Sequence, residues 1–464
     1  MEKIKKAVLK VQKKMAASHV MVTGFAAAIL LGGILLSLPV CNADGRWLNF
    51  LDALFTSCSA VCVTGLVTIV PASQFSLPGK LILLVLIQFG GFGIIACTMG
   101  AFVILRKQIT IRSRVMLQEG YNMNTLSGLV ALLLYVMKGT FIVEGIGALL
   151  YSLQFVPQYG FFRGIWYSVF HAVSAFCNAG IDILGDSSLQ VYQTNPLVNA
   201  VTVLLIIVSG LGFIVWRDLA LTVRRIVKRE CGVCRALECM RLQTKLALMM
   251  TLFLVVGGTV GIFCLEYSNP ETLGKLTLGQ KWMASLFQSV TTRTAGFFTI
   301  PQNLFREESK ILSCVLMFIG GSPGGTAGGV KTTTIAILLL TCWSVLKGNL
   351  DTECFRRRIY PSVIRTGFAV FTVAFLAVIV GTITLTSIEQ APLADALYEV
   401  TSAVGTVGLT TGLTPGLAFA SKLLIIFLMY IGRIGPVTLA LLFAGKIGKK
   451  KKRVKLPGER IMVG

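Results

Sequence analysis

Long apolar runs alternate with short polar stretches along this chain, and the runs fall into two lengths. Eight of them, at 20–40, 80–105, 126–155, 197–216, 246–265, 311–346, 362–386 and 420–443, are near or above the ~20 apolar residues that a membrane-crossing helix needs. Only the run at 311–346 is visibly interrupted. Four shorter pieces, at 48–57, 164–173, 280–288 and 393–399, mix aromatic and polar residues and are too short to cross. The alternation predicts an all-α membrane protein of eight transmembrane helices. The short pieces predict re-entrant helices, because irregular backbone persists at membrane depth only where protein buries it or water lines it.

Behind each short piece comes a similar tract: SAVCVTGL at 59–66, SAFCNAGI at 174–181, VTTRTAGF at 290–297 and SAVGTVGL at 402–409. Their closing glycines, Gly65, Gly180, Gly296 and Gly408, are spaced 115, 116 and 112 residues apart. One such tract is an ordinary loop between helices. Four in register, each between a short helix and a span, predict four span–short helix–span repeats around one central pore. The pairs before the glycines are Val63-Thr64, Asn178-Ala179, Thr294-Ala295 and Thr406-Val407. Side chains so varied place any shared function in the backbone, and glycine can turn that backbone through angles closed to other residues. A ring of carbonyls is how proteins replace the water around a permeating cation. Short helices aiming their carboxyl ends inward would add partial negative charge.

Composition supports the bilayer: 55% of the 464 residues are hydrophobic and only 14% are charged. The net charge of +23 would suggest nucleic acid in a soluble protein, but its distribution argues against it. Basic residues gather before the first run (Lys3 to Lys14), at Arg106 to Arg114, Arg217 to Arg241 and Lys347 to Arg365, and in the tail from Lys446 to Arg460. Every cluster follows an even number of spans, which places both termini in the cytoplasm. The first apolar run is longer than a signal-peptide core and lacks a small-x-small cleavage site, so it reads as a span. The 12 cysteines form no secreted-type framework, and Cys231-Gly-Val-Cys234 has neither a second pair nor a nearby histidine to complete a zinc site. His19 and His171, the two histidines, have no partners that suggest catalysis. The expectation is a protein that is not an enzyme, has no cofactor of its own, and holds no metal other than a transported ion.

Two features depart from the plain repeat. The third repeat's second span is broken by GGSPGGTAGGVKT at 320–332. A phosphate-binding loop would need glycine directly before Lys331, where Val330 stands. The glycines therefore make either a packed kink or a flexible barrier below the tracts, with Gly320, Gly321, Gly324, Gly325, Gly328, Gly329 and Lys331 as gating residues. The second feature is Arg433, in the last span between Gly432 and Gly435. A guanidinium at that depth costs ~2.5 kcal/mol or more unless it meets water or an anion. It is either a positive gate on the cation path or half of a buried ion pair, with Glu144 and Glu399 as the visible partners. Arg293, inside the third tract, is expected to brace the tract from behind.

The four tracts resemble those of the Trk/Ktr/HKT superfamily of potassium transporters over nearly the whole chain, SAVCVTGL and TTRTAGF most of all. The resemblance implies a selectivity filter of backbone carbonyls from Cys62, Val63, Thr64 and Gly65; Cys177, Asn178, Ala179 and Gly180; Arg293, Thr294, Ala295 and Gly296; and Gly405, Thr406, Val407 and Gly408, with potassium as the ion bound there. It also implies an intramembrane gating loop at 320–331, a pore-lining arginine at Arg433, a homodimer with one pore per subunit, and a cytoplasmic ring of nucleotide-binding RCK domains as regulator. Gly65 leaves room for one span upstream, as in Ktr-type rather than Trk-type subunits. In plant relatives a serine in the first filter accompanies sodium selectivity, so glycine there implies potassium.

The expected organisation is a basic cytoplasmic segment at 1–19, repeats at 20–114, 115–241, 242–358 and 359–445, and a basic cytoplasmic tail at 446–464. The expected function is potassium uptake across the bacterial plasma membrane, with sodium as a possible second ion. The basic inner loops would dock anionic lipid heads or the regulator. A secondary transporter of another solute, with broken helices at the midplane, is the alternative. It would show a two-fold rather than a four-fold repeat.

Overall fold

The computed structural model describes residues 17–93, 97, 129–230 and 232–435. The basic clusters at 3–14, 106–114 and 446–460, and Cys231, lie outside the described residues. Fourteen longer helices organise the rest: α1 (Ala17–Ser37), α2 (Phe50–Cys62), α3 (Leu77–Phe92), α4 (Leu129–Tyr159), α5 (Phe161–Cys177), α6 (Pro196–Gly210), α7 (Phe213–Val227), α8 (Leu242–Glu266), α9 (Leu278–Thr291), α10 (Glu307–Phe318), α11 (Thr332–Leu346), α12 (Pro361–Glu389), α13 (Leu393–Gly405) and α14 (Phe419–Ile434). A two-residue hairpin, Glu353–Cys354 with Arg357–Arg358, is the β-structure among the described residues.

By length and composition, α4, α8 and α12 can cross a bilayer, as can α6 with α7 if that bent pair counts as one span. Helix α1 runs unbroken through 21 residues. Two runs that lie wholly within the described residues are broken, 197–216 and 311–346, and hydropathy signalled only the second. The expected span at 197–216 turns through 97° between α6 and α7, at Gly212 with φ +90°. Helix α3 ends at Gly93 (φ +79°) and α14 at Gly435 (φ +89°), while α10 stops at Ile319 before the glycine-rich loop. Among the described residues, the helix after each tract thus ends at or beside a glycine, in the third quarter at the glycine-rich loop.

The four short helices α2, α5, α9 and α13 are longer than the sequence suggests; α2, α5 and α13 absorb the first half of their tracts and α9 the first two residues of its own. Each packs on the long helix that precedes it: α2 on α1, α5 on α4, α9 on α8, α13 on α12. A glycine permits close approach in two of these pairs. The Ser57 hydroxyl donates to Ile29 O at 2.7 Å beside Gly32, and Ser289 donates to Val255 O at 2.9 Å beside Gly258. The helix after each tract packs on the next short helix: α3 on α5, α6 on α9, α10 on α13, and finally α14 back on α2. The last contact closes a circle. Apolar burial concentrates there: Phe55, Phe170, Phe176, Phe287 and Tyr398 are inaccessible, whereas the outward faces of α1, α3, α4, α8 and α12 expose large apolar side chains. An apolar exterior of this extent is what a lipid-facing surface requires.

Candidate functional site

All four tracts leave their short helices with the same backbone turn. Val63, Asn178, Thr294 and Thr406 have φ of 56°, 60°, 68° and 52°. Two residues later Gly65, Gly180, Gly296 and Gly408 have φ of 100°, 63°, 81° and 92°. The first set is costly for side-chain-bearing residues, the more so for the β-branched Val63, Thr294 and Thr406. Such strain persists only where the surroundings over-determine it, and these residues are fully buried.

The glycines show how the tracts meet. A methyl group built on Gly65 would sit 2.6 Å from Ala179 O, and one on Gly296 would sit 2.6 Å from Val407 O. The corresponding neighbours are Ala295 O for Gly180 and Thr64 O for Gly408, closer still. Each glycine therefore abuts the carbonyl just ahead of the next tract's glycine, in the order first, second, third, fourth and back to first. Any Cβ here would push a backbone carbonyl out of the ring, and positive φ disfavours one independently.

Hydroxyl groups lock the tracts, a role the sequence reading did not assign although Ser59, Ser174, Thr291 and Ser402 stood in the quoted motifs. Ser59 Oγ accepts from Gly65 N–H at 2.9 Å and Ser402 Oγ from Gly408 N–H at 3.0 Å. Ser174 donates to Ile181 O at 2.6 Å, and Thr291 donates to Phe297 O. The signal was a hydroxyl-bearing residue six positions before Gly65, Gly180 and Gly408, and five before Gly296. Backbone bonds support the same turn: Thr64 N–H to Ser59 O, Ala179 N–H to Ser174 O and Val407 N–H to Ser402 O, each 2.8 Å. The third tract departs, with Ala295 N–H donating to Thr291 O at 3.0 Å. Its Arg293 is buried and donates to Thr251 Oγ1 of α8 at 3.3 Å, so the guanidinium is directed at the neighbouring long helix.

The loop at 320–331 lies beside the second and fourth tracts. Ser322 N–H donates to Gly210 O (2.9 Å), Phe213 N–H donates to Gly324 O (3.0 Å), and Thr326 Oγ1 donates to Phe176 O (3.3 Å) at the end of α5. A methyl on Gly328 would collide with Thr406 Oγ1, and one on Gly329 would reach Gly405 O at 3.4 Å. Within the loop, Lys331 Nζ donates to Ala327 O (2.7 Å) and Gly328 O (3.3 Å), and Gly320 N–H donates to Val330 O (2.9 Å). Lys331 thus closes the loop on itself and holds no phosphate-type cradle.

Arg433 donates through one terminal nitrogen to Thr326 O of the loop and through the other to Gly90 O of α3. Neither expected carboxylate reaches it. Glu144 accepts from Gln88 Nε2 (3.1 Å), and Glu399 accepts from Thr410, from Thr411 N–H (3.1 Å) and from Thr414 (2.7 Å). The buried ion-pair reading is overturned, because both acids are engaged by uncharged donors on other elements. Among the described residues no group of three or more His, Cys, Asp or Glu side chains is placed to hold a metal, and Cys234 and Cys239 are exposed free thiols.

Comparison with known proteins assigns this arrangement to a family. The family described as "TrkH: Cation transport protein" matches residues 4–452. The chain is 40% identical over 459 residues to the potassium/sodium uptake protein NtpJ of Enterococcus hirae, covering 98% of this chain and 99% of that one. It is 39% identical over 447 residues to the Ktr system potassium uptake protein B of Bacillus subtilis, covering 96% of each. The crystal structure of the potassium transporter TrkH from Vibrio parahaemolyticus superposes with a TM-score of 0.70, at 19% identity, over 92% of this chain and 86% of that one, which establishes a shared fold. These relatives are cation transporters and not enzymes, and the chain is a member of the TrkH family of cation transport proteins.

Proposed function

We propose that this protein is the membrane subunit of a Ktr-type potassium uptake system, conducting through a filter made by the four tracts. The cyclic contact of each glycine with the carbonyl ahead of the next glycine carries this reading. A closed ring of inflexible backbone offers an ion carbonyl oxygens in place of water, and its four-fold order speaks against a two-fold transporter with a midplane pocket. The carbonyls of residues 62–65, 177–180, 293–296 and 405–408 are the proposed ligands. Eight crossings, four repeats and both termini in the bacterial cytoplasm complete the proposed architecture. Inward movement is favoured by ~2.3 kcal/mol per 100 mV of negative interior.

The loop at 320–331 is the proposed gate, and Arg433 its latch. The guanidinium joins the loop at Thr326 O to the first quarter at Gly90 O, and its charge repels a cation on the same path. Opening requires those bonds to break, which a cytoplasmic nucleotide-binding partner of RCK type would drive. Two such subunits are proposed to pair as a homodimer, each with its own pore. Rubidium uptake in potassium-starved cells lacking other uptake systems tests the function. Uptake restored by the parent chain and not by Gly408→Ala supports it. Restored growth without rubidium entry, or uptake of an organic solute instead, would overturn it. Repeating the flux with and without sodium decides whether sodium is coupled.

A further inference from the structure

Glu144 is the middle residue of the 31-residue helix α4, the depth at which a carboxylate is most expensive in a bilayer. It is 5% exposed. Its polar neighbours are Gln88, whose amide nitrogen lies 3.1 and 3.4 Å from the two carboxylate oxygens, and Cys177, whose thiol lies 3.9 Å from one of them. The same thiol lies 3.6 Å from Gln88 Oε1. A carboxylate offers about four lone-pair sites, and one amide with one weak thiol leaves that capacity underused. No lysine or arginine among the described residues forms an ion pair with it.

Beside the carboxylate is a cavity of about 360 Å³ between α3, α4 and α5. Its walls are Leu84, Val85, Phe141, Ala148, Val169 and Val173, with Gln88 and Glu144 as its polar groups. Val85 and Phe141 are more than half exposed on the molecule's apolar outer surface, so the cavity opens toward lipid rather than toward the ring. Gly145 lines it as well, and a methyl built there meets nothing within 4 Å. Apolar walls with a few convergent polar groups, in this size range, are how small-molecule sites are built.

We propose that this cavity is a binding site for a lipophilic ammonium ion that enters from the bilayer. The apolar body would lie along Val85, Phe141, Val169 and Val173, and the ammonium would donate to Glu144. The ligand supplies both things the site lacks: a positive charge for the carboxylate and an apolar volume for the cavity. A neutral alcohol of the same length would fill the volume and leave the charge unmatched. An anionic amphiphile would be repelled. Because Cys177 is the last residue of α5 and belongs to the second tract, an occupant would sit behind Asn178 and Gly180. The site's existence does not rest on the transport reading.

Saturable binding of decylammonium to the full-length protein in neutral-lipid nanodiscs, after subtraction of empty nanodiscs, tests it. Binding should weaken at least tenfold in Glu144→Gln, which keeps the shape and loses the charge, and in Gly145→Leu, which fills the cavity. Decanol should displace decylammonium poorly from the parent protein. Equal binding to the parent and Glu144→Gln would overturn the proposal. So would displacement by decanol as effective as by unlabelled decylammonium, a comparison that needs no variant to fold. Absence of saturable binding above empty nanodiscs, as expected if another copy of the chain covers this face, would also overturn it.

Discussion

The ring of tracts and the loop at 320–331 are both glycine-rich, both irregular, and both lie among buried helices, yet they are held in different ways. In the ring, every glycine is pressed against a carbonyl from the adjoining tract, and every tract carries its own hydroxyl bond back to a Ser or Thr of its short helix. Each contact depends on the other three quarters, so the ring behaves as one unit. The loop is held instead by single bonds to separate elements: Gly210 of α6, Phe213 of α7, Phe176 of α5 and Arg433 of α14. A methyl on Gly324 would meet only Ile214 side-chain atoms, at 3.8 Å or beyond. A net hydrogen bond contributes about 0.5–1.5 kcal/mol, so the loop can be released one contact at a time. The ring cannot. Glycine permits close packing in both regions, but the ring's contacts close on one another around four quarters while the loop's run to separate elements.

Breaking the ring should have the largest effect. Gly408→Ala places a methyl against Thr64 O at φ +92°, so rubidium flux per folded protein should fall at least ~100-fold, or folded yield should collapse. Gly65→Ser applies the same conflict against Ala179 O and should shift the permeability ratio toward sodium. Near-parent flux and selectivity in both variants would mean that the glycines are not packed as described.

Arg433 comes next, because it is the charged side chain that ties the loop to another quarter. Hydrogen bonds to charged groups contribute about 1.5–3 kcal/mol each. Arg433→Ala and Arg433→Gln should raise flux several-fold while leaving thermal stability within a few degrees of the parent. Arg433→Lys keeps the charge but cannot span Gly90 O and Thr326 O together, so its flux should fall between the two. Reduced flux with a lower unfolding temperature in all three would make the residue structural.

The hydroxyls sharpen the comparison at smaller scale. Ser402→Ala leaves Gly408 N–H buried and unpaired, at a cost of about 1–3 kcal/mol, and should lower the unfolding temperature and blur potassium–sodium discrimination together. Thr326→Val removes one 3.3 Å bond from the loop and should raise flux about twofold with unchanged selectivity. If the two substitutions moved the same observable, the ring and loop would not be separable.

Much of this was legible from spacing. The four tracts, the short helices before them and the interrupted third quarter follow from apolar run length and glycine recurrence, because a bilayer imposes a fixed span and a buried turn imposes glycine. The resemblance to the Trk/Ktr/HKT superfamily rested on the same motifs, and the TrkH family match over residues 4–452 agrees with it. What hydropathy could not register was the break in the second quarter. Gly212 sits inside apolar sequence, and a single glycine changes backbone direction without changing hydropathy.

The partners of the buried charges were decided by the tertiary structure alone. Sequence supplied Arg433 and two acids, Glu144 and Glu399, in an apolar background, and left a positive gate and a buried ion pair as the two readings. Folding set Glu399 among Thr410, Thr411 and Thr414, put Glu144 beside Gln88 on another helix, and left Arg433 to two backbone carbonyls. Run length and periodicity are local properties that a chain carries along itself. Which donor meets which acceptor depends on how helices hundreds of residues apart close into a circle, and each buried polar group must be satisfied by the partners that this closure brings within hydrogen-bond reach.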